Sequence, residues 1–255
     1  MANKIMIDAG HGGYDNGASY NNRREKDDNL RLALAVGEIL ANSGIDVEYT
    51  RTTDVYQNPN EKAKIANDSQ ADYFISFHRN SSPTPNTYDG VETLIYNEGD
   101  VKEELANNIN KQLESVGYDN LGIDVRKNLA VLRRTKMPAV LVETGFINSD
   151  KDNALFDQKF QDTANAIAQG VLETLNLKTT QVPPYYYRIQ VGLFRNYNNA
   201  VNLYNQLISE GYDATIVRMG DYYAVLLGEY FSIEQAQQIE NELNEKGYET
   251  LIIAL

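Results

Sequence analysis

The sequence contains no cysteine and no tryptophan, and only two histidines among its 255 residues. Without cysteine there is no disulfide, no thiolate metal ligand and no cysteine nucleophile, whatever the compartment. Basic residues are also scarce. The 23 Lys and Arg against 36 Asp and Glu leave a net charge of −13, which repels nucleic acid and anionic membrane surfaces, so any polymer partner must be recognised without a strongly basic face. No apolar run approaches the length of a membrane span, and membrane insertion is not expected. The start, MANKIMIDAGHGG, lacks the apolar stretch of a signal peptide, so the expectation is synthesis in the cytoplasm and action after release.

What is present is an ordinary soluble composition, 42% hydrophobic and 23% charged, long enough for one sizeable core plus a small module. From residue 4 to about 176, short β-rich runs alternate with longer helical ones, which predicts an α/β domain: a mainly parallel twisted sheet flanked by helices. KIMIDA (4–9), IDVEYT (45–50), DYFISF (72–77), VETLIY (91–96) and AVLVET (139–144) read as strands. Residues 28–44 carry apolar positions at helical spacing and stop at Gly44; 60–69, 101–117 and 154–175 read as helices in the same way. The sequence thus divides into a domain over 1–176, a linker over 177–184 containing Pro183-Pro184, and a second module over 185–255.

That second module is an internal repeat. A shift of 36 residues aligns Tyr187 with Tyr223, Gly192 with Gly228, Ala200 with Ala236, Leu207 with Leu243, and Gly211-Tyr212 with Gly247-Tyr248. Each copy reads strand, helix, strand, so the pair predicts a small βαββαβ domain with both helices on one face of a four-stranded sheet. Alternation points Ile189, Val191, Val225 and Leu227 at the helices and leaves Arg188, Gln190, Tyr222 and Leu226 on the open face, where a ligand could bind. Tyr186, Tyr222 and Tyr223 are candidates for sugar contact, each offering an apolar ring face and a hydroxyl.

The chemistry concentrates at strand ends. His11 follows KIMIDA, His78 follows DYFISF and Glu143 lies at the end of PAVLVE. In an open α/β sheet, ligands collect beyond the carboxyl ends of the strands, so three such residues predict a shared site. Two imidazoles and a carboxylate leave a fourth tetrahedral position open, the pattern of a catalytic zinc, and a second carboxylate nearby would serve as general base. Glu143, ending an apolar strand, supplies one acid. The other must come from the acidic run RREKDDN (23–29), where Glu25, Asp27 and Asp28 are equal candidates by spacing.

These motifs resemble the zinc-dependent N-acetylmuramoyl-L-alanine amidases of the type 3 family over essentially all of residues 4–176. The landmarks are DAGHGGYDNGA, the EK of RREKDDNL, ISFHRN, DGVETLIY, VLR at 131–133 and PAVLVETGFINSDKD. The resemblance implies one Zn2+ held by His11, Glu25 and His78, with Glu143 catalytic and Asn80 and Arg133 as substrate contacts. It also implies hydrolysis of the amide between N-acetylmuramic acid and L-alanine in peptidoglycan. Lys62 stands where the family usually has Arg, and Leu121 replaces an Arg in segment 120–122. The C-terminal repeat, from YRIQVGLF to YAVLLGEYFS and beyond, resembles a SPOR domain, which implies binding to peptidoglycan glycan strands. Two settings resemble this pairing: a mother-cell amidase of sporulation, favoured by the SPOR-like tail, and a phage endolysin. A zinc peptidase acting on the stem peptide is the remaining alternative.

Overall fold

The computed structural model describes residues 3–177, 187–230 and 233–254. Residues 178–184 of the expected linker, and Tyr186, lie outside the described residues. The chain separates into two compact units, Met1–Val182 and Pro183–Leu255.

The first unit runs β1 (Lys4–Ala9), β2 (Ser19–Tyr20), β3 (Arg23–Arg24), α1 (Glu25–Asn42), β4 (Asp46–Tyr49), α2 (Pro59–Asp68) and β5 (Tyr73–Asn80). It continues through β6 (Val91–Ile95), α3 (Asp100–Val116), β7 (Asn120–Val125), α4 (Ala130–Arg134), β8 (Ala139–Phe146), α5 (Asp150–Gln158) and α6 (Phe160–Thr174). Six strands form one sheet in the order β4-β1-β5-β8-β6-β7, while β2 and β3 make a separate two-stranded ribbon. The first four are parallel, β6 is antiparallel to β8, and β7 is parallel to β6. The reversal has a simple cause. Only residues 81–90 separate β5 from β6, with no helix among them, too short for the crossover that a parallel pairing needs.

Strands β1, β5 and β8 are buried almost end to end because helices cover both faces, which is why they read as continuous apolar runs. One face carries Met6, Phe74, Leu94 and Leu141 packed with Ala66 of α2 and Val131 and Leu132 of α4. On the other, α1 lies over β1 and β5 and α3 over β6 and β7, and both pack on α6. The helix expected over 154–175 is two helices, broken at Lys159, whose φ of −121° and ψ of 32° are not helical. Phe156 and Phe160 meet edge to face across the break, their centroids 5.4 Å apart. Helix α2 begins as its sequence directs: Pro59 occupies its first turn, and Asn58 and Glu61 form a reciprocal capping box.

The second unit runs β9 (Tyr187–Phe194), α7 (Tyr197–Ser209), β10 (Ala214–Met219), β11 (Tyr222–Tyr230), α8 (Ile233–Glu245) and β12 (Leu251–Ala254). Its sheet, in the order β10-β11-β9-β12, is antiparallel throughout, the split βαβ arrangement expected of the duplication. The repeat survives in detail. Tyr212 N–H bonds the Leu207 carbonyl and Tyr248 N–H that of Leu243, both at 3.0 Å, and Ala200, Ala236, Leu207 and Leu243 are all fully buried.

Ile189, Val191, Val225 and Leu227 do enter this core. Leu226 corrects the sequence reading: it is fully buried, not displayed on an open face. Alternation itself holds, since Val225 and Leu227 join the helix-side core and Leu226 does not; what differs is that the opposite face is covered at this point, with Ala224 through Leu227 all enclosed. Arg188 is also occupied. Its guanidinium bonds the Gly228 carbonyl on β11 and reaches Thr215 Oγ1 on β10, both at 2.8 Å, spanning the strand that carries Leu226. Gln190 is half-buried, and Tyr222 receives Arg195 on its hydroxyl at 3.1 Å. Tyr223 packs against the core beside Tyr197.

Candidate metal centre and active site

The site lies at the carboxyl ends of β1 and β5. Just past β1, His11 takes a left-handed backbone (φ 59°), uncommon for a residue with a Cβ. The turn around it is held from behind. Arg51 donates to the carbonyls of Ala9, Gly10 and Lys26, at 2.9 to 3.0 Å. Asp8, fully buried at the end of β1, accepts from Thr50, Lys62 and Ser76. Burial alone would raise the Asp8 pKa, but the Lys62 ammonium and the two hydroxyls hold it below the ordinary range. Lys62 therefore serves as a buried counter-ion.

His78 lies within β5 rather than after it, near the strand's carboxyl end and cross-strand from Glu143 on β8. Its ring occupies the space a side chain at Gly10 would take: a Cβ there would come within 2.4 Å of His78 Cε1. Glu25 opens α1, where helix polarity favours a carboxylate. Its Oε1 lies 2.8 Å from His78 Nδ1 and 3.1 Å from His11 Nε2, while Oε2 accepts Ala18 N–H at 2.8 Å. His11 Nδ1 faces Asp15 Oδ2 at 2.9 Å, which fixes the ring so that Nε2 points at Glu25.

The three acids that spacing left equal are now separated by helix phase. Asp27 is exposed and paired with Arg24. Asp28 is buried, its Oδ2 accepting from Arg23 at 2.6 Å and Arg79 at 2.5 Å. Only Glu25 faces the histidines. Ligand atoms of His11, Glu25 and His78 all lie within 4.8 Å of one another, so these two nitrogens and one carboxylate oxygen form a site that could hold a metal ion, and the donor set fits one.

Glu143 stands beside this cluster with its Oε2 enclosed and lacking any hydrogen-bond partner. Burial, then the nearby charges of Glu25 and Glu92 against the opposing pull of the histidines, pushes its pKa up to about 7. Glu92, directly across from Glu143 on β6, is a site residue that the sequence reading missed. Its signal was a carboxylate inside the apolar run VETLI. Asn80 belongs to the site as well, donating to Glu92 Oε1 at 2.5 Å. Arg133 is exposed and directs its Nη1 to the carbonyls of Lys127 and Asn128 rather than to this cluster.

The histidine and carboxylate charges make stability depend on pH. Burial opposes the charge on His11, but Glu25 and then Asp15 outweigh it and raise its pKa to about 9. A pKa raised above the unfolded value of about 6.5 contributes stability that is complete below pH ~6.5 and lost as pH climbs through about 9. Chelator-treated protein is therefore expected to lose on the order of 2 to 3 kcal/mol from this group between those limits. Thermal unfolding from pH 6 to 10 measures it. A flat profile in that window, matching His11→Ala, would contradict the pairing.

Residues 5–173 match the profile of the family described as N-acetylmuramoyl-L-alanine amidase, and residues 183–254 match the SPOR domain. The chain belongs to this amidase family. A sporulation-specific N-acetylmuramoyl-L-alanine amidase of Bacillus subtilis (strain 168) is 35% identical over 220 residues, covering 84% of each chain. An endolysin of Bacillus phage SPP1 is 37% identical over 70% of this chain and 68% of its own. The crystal structure of an N-acetylmuramoyl-L-alanine amidase from Clostridium difficile 630 superposes with a TM-score of 0.65 at 38% identity, covering 70% of this chain and 99% of that one. In this amidase domain the cluster of His11, Glu25, His78 and Glu143 is the chemically equipped end of the sheet.

Proposed function

We propose that this amidase cleaves the amide joining the N-acetylmuramoyl lactyl group to L-alanine in peptidoglycan, with Zn2+ as its cofactor, one ion per chain. The observation that carries the reading is a two-histidine, one-carboxylate cluster with an unpartnered, buried carboxylate beside it. His11, Glu25 and His78 would hold the zinc, which when bound supplies Lewis acidity towards the scissile carbonyl and acidifies water. Asp15 keeps His11 in the orientation that presents Nε2. Glu143, poised near neutral pH, takes the proton of the attacking water and hands it to the departing alanine nitrogen. Asn80, anchored by Glu92, orients the substrate beside Glu143.

The SPOR-like unit would hold glycan strands through Gln190 and Tyr222 and raise the local substrate concentration for the catalytic unit. The biological setting we favour is mother-cell lysis in sporulation, the enzyme reaching the wall after release from the cell that made it. The 220-residue match to the sporulation amidase supports this over the shorter endolysin match. Digestion of purified walls tests the chemistry. New alanine amino termini and intact free stem peptides are the expected products. Shortened stem peptides still attached to glycan would establish a peptidase instead.

A further inference from the structure

Beside the metal loop lies an aromatic pair that the chemistry above does not use. Tyr14 and Tyr56 stack with centroids 4.2 Å apart and planes 29° from parallel. Tyr14 is 79% exposed and Tyr56 38%, an unusual display for two large rings in one place. The pair is rigidly built. Gly12 and Asp15 exchange both backbone hydrogen bonds, at 3.0 and 3.1 Å, so Tyr14 sits at the tip of a tight turn whose base carries the carboxylate that orients His11. That turn is pressed against the segment bearing Tyr56: a Cβ on Gly12 would lie 2.2 Å from the Val55 carbonyl oxygen. Asp54 clamps the two together, accepting from Gly13 N–H and from Lys26 Nζ, both at 2.7 Å, while Lys26 also bonds the Gly13 carbonyl.

We propose that the Tyr14–Tyr56 stack is a platform for one neutral pyranose ring of the substrate glycan, a subsite within the catalytic unit and separate from the SPOR-like module. The proposal rests on the amidase reading. Tyr14 is three residues from His11, within about 11 Å along the chain, a span on the scale of one or two sugar rings. The charges acting on the Tyr14 hydroxyl are those of Asp15 and Glu61, Asp54 adds a third carboxylate, and the Lys26 cation is enclosed beneath. A stem peptide with free carboxylates is repelled by such a rim, whereas an uncharged sugar offers its C–H face to the exposed ring. N-acetylmuramic acid is uncharged while its lactyl carboxyl is tied up in the amide. Hydrolysis frees that carboxylate beside three others, which favours departure of the product. Because both rings are fixed before binding, little conformational freedom is lost.

The test uses the full chain and two soluble ligands: an N-acetylglucosaminyl-N-acetylmuramoyl peptide, and the matching lactyl peptide without sugars. In the active protein, Tyr14→Ala is expected to raise KM for the sugar-bearing ligand about tenfold, with kcat changed less than twofold. The sugarless ligand should respond less than twofold, and Tyr14→Phe, which keeps the ring, should track the parent on both. Calorimetric titration into chains carrying Glu143→Ala repeats the comparison without turnover. Equal loss on both ligands, or none on either, overturns the platform. Tyr14-dependent binding without cleavage would retain the platform and remove the amidase reading. Cleavage indifferent to Tyr14→Ala would do the reverse, and neither binding nor cleavage would remove both.

Discussion

Glu143→Ala is expected to retain its metal and to lose about 10²- to 10⁴-fold in wall hydrolysis, the range that a positioned acid–base group supplies. The two halves of this expectation have separate structural grounds. The ligand atoms of His11, Glu25 and His78 converge without Glu143, so removing it leaves the donor set whole. Its Oε2 has no partner, so truncation orphans no donor, and a buried carboxylate with a pKa raised to about 7 is taken out of the fold. The variant should therefore be at least as stable as the parent. In the parent, Glu143 must be ionised to accept a proton, so activity should rise with pH through about 7. Metal content by mass spectrometry, unfolding temperature and hydrolysis, measured on one preparation, separate these effects. Unaltered turnover would remove Glu143 from its role.

The largest effect on stability should come from Asp28→Ala. Asp28 joins two arginines: Arg23, which also forms a paired contact with Asp157, and Arg79, whose side chain is completely enclosed and lies over the Phe156 ring. Removing the shared carboxylate leaves two like charges facing each other, one with no access to water. Breaking a buried pair in this way costs about 3–5 kcal/mol. At roughly 2–4 °C per kcal/mol for a unit of this size, the transition of the catalytic unit should fall by between about 6 and 20 °C. Metal affinity of the folded protein at low temperature should be nearly unchanged, because Asp28 touches no histidine. A variant that unfolds like the parent but binds metal poorly would return Asp28 to the candidate ligands.

These two acids mark how far the sequence could be read. His11, His78 and Glu143 were legible because strand ends in an α/β sheet converge, and the chain has no other histidine to confuse the pattern. Glu25 was not separable from Asp28 by spacing. The choice depends on which side of α1 meets β5 and on two arginines, one of them 51 residues away in sequence. The core strands were legible as apolar runs, but the reversed direction of β6 was not, because direction is set by the length of the preceding connection rather than by the strand's own residues. Glu92 escaped notice for the same reason: only the antiparallel pairing brings it opposite Glu143. In the repeat, alternation located the core and the face of Leu226 correctly, but alternation says nothing of what covers the other face, and there Leu226 is enclosed.

The place of β8 in the sheet has a consequence for the order of events during synthesis. It is the last of the six strands to be made, yet it occupies the middle, with β5 on one side and β6 on the other. Until residue 146 has left the ribosome, the strands already made lack the central partner that joins β5 to β6, and Glu143 has not joined His11, Glu25 and His78. A truncated or unfinished chain can therefore carry both histidines and Glu25 and still be inert. Were the wall of the cell that makes it the target, as proposed above, a site completed only by the final central strand would keep incomplete translation products harmless.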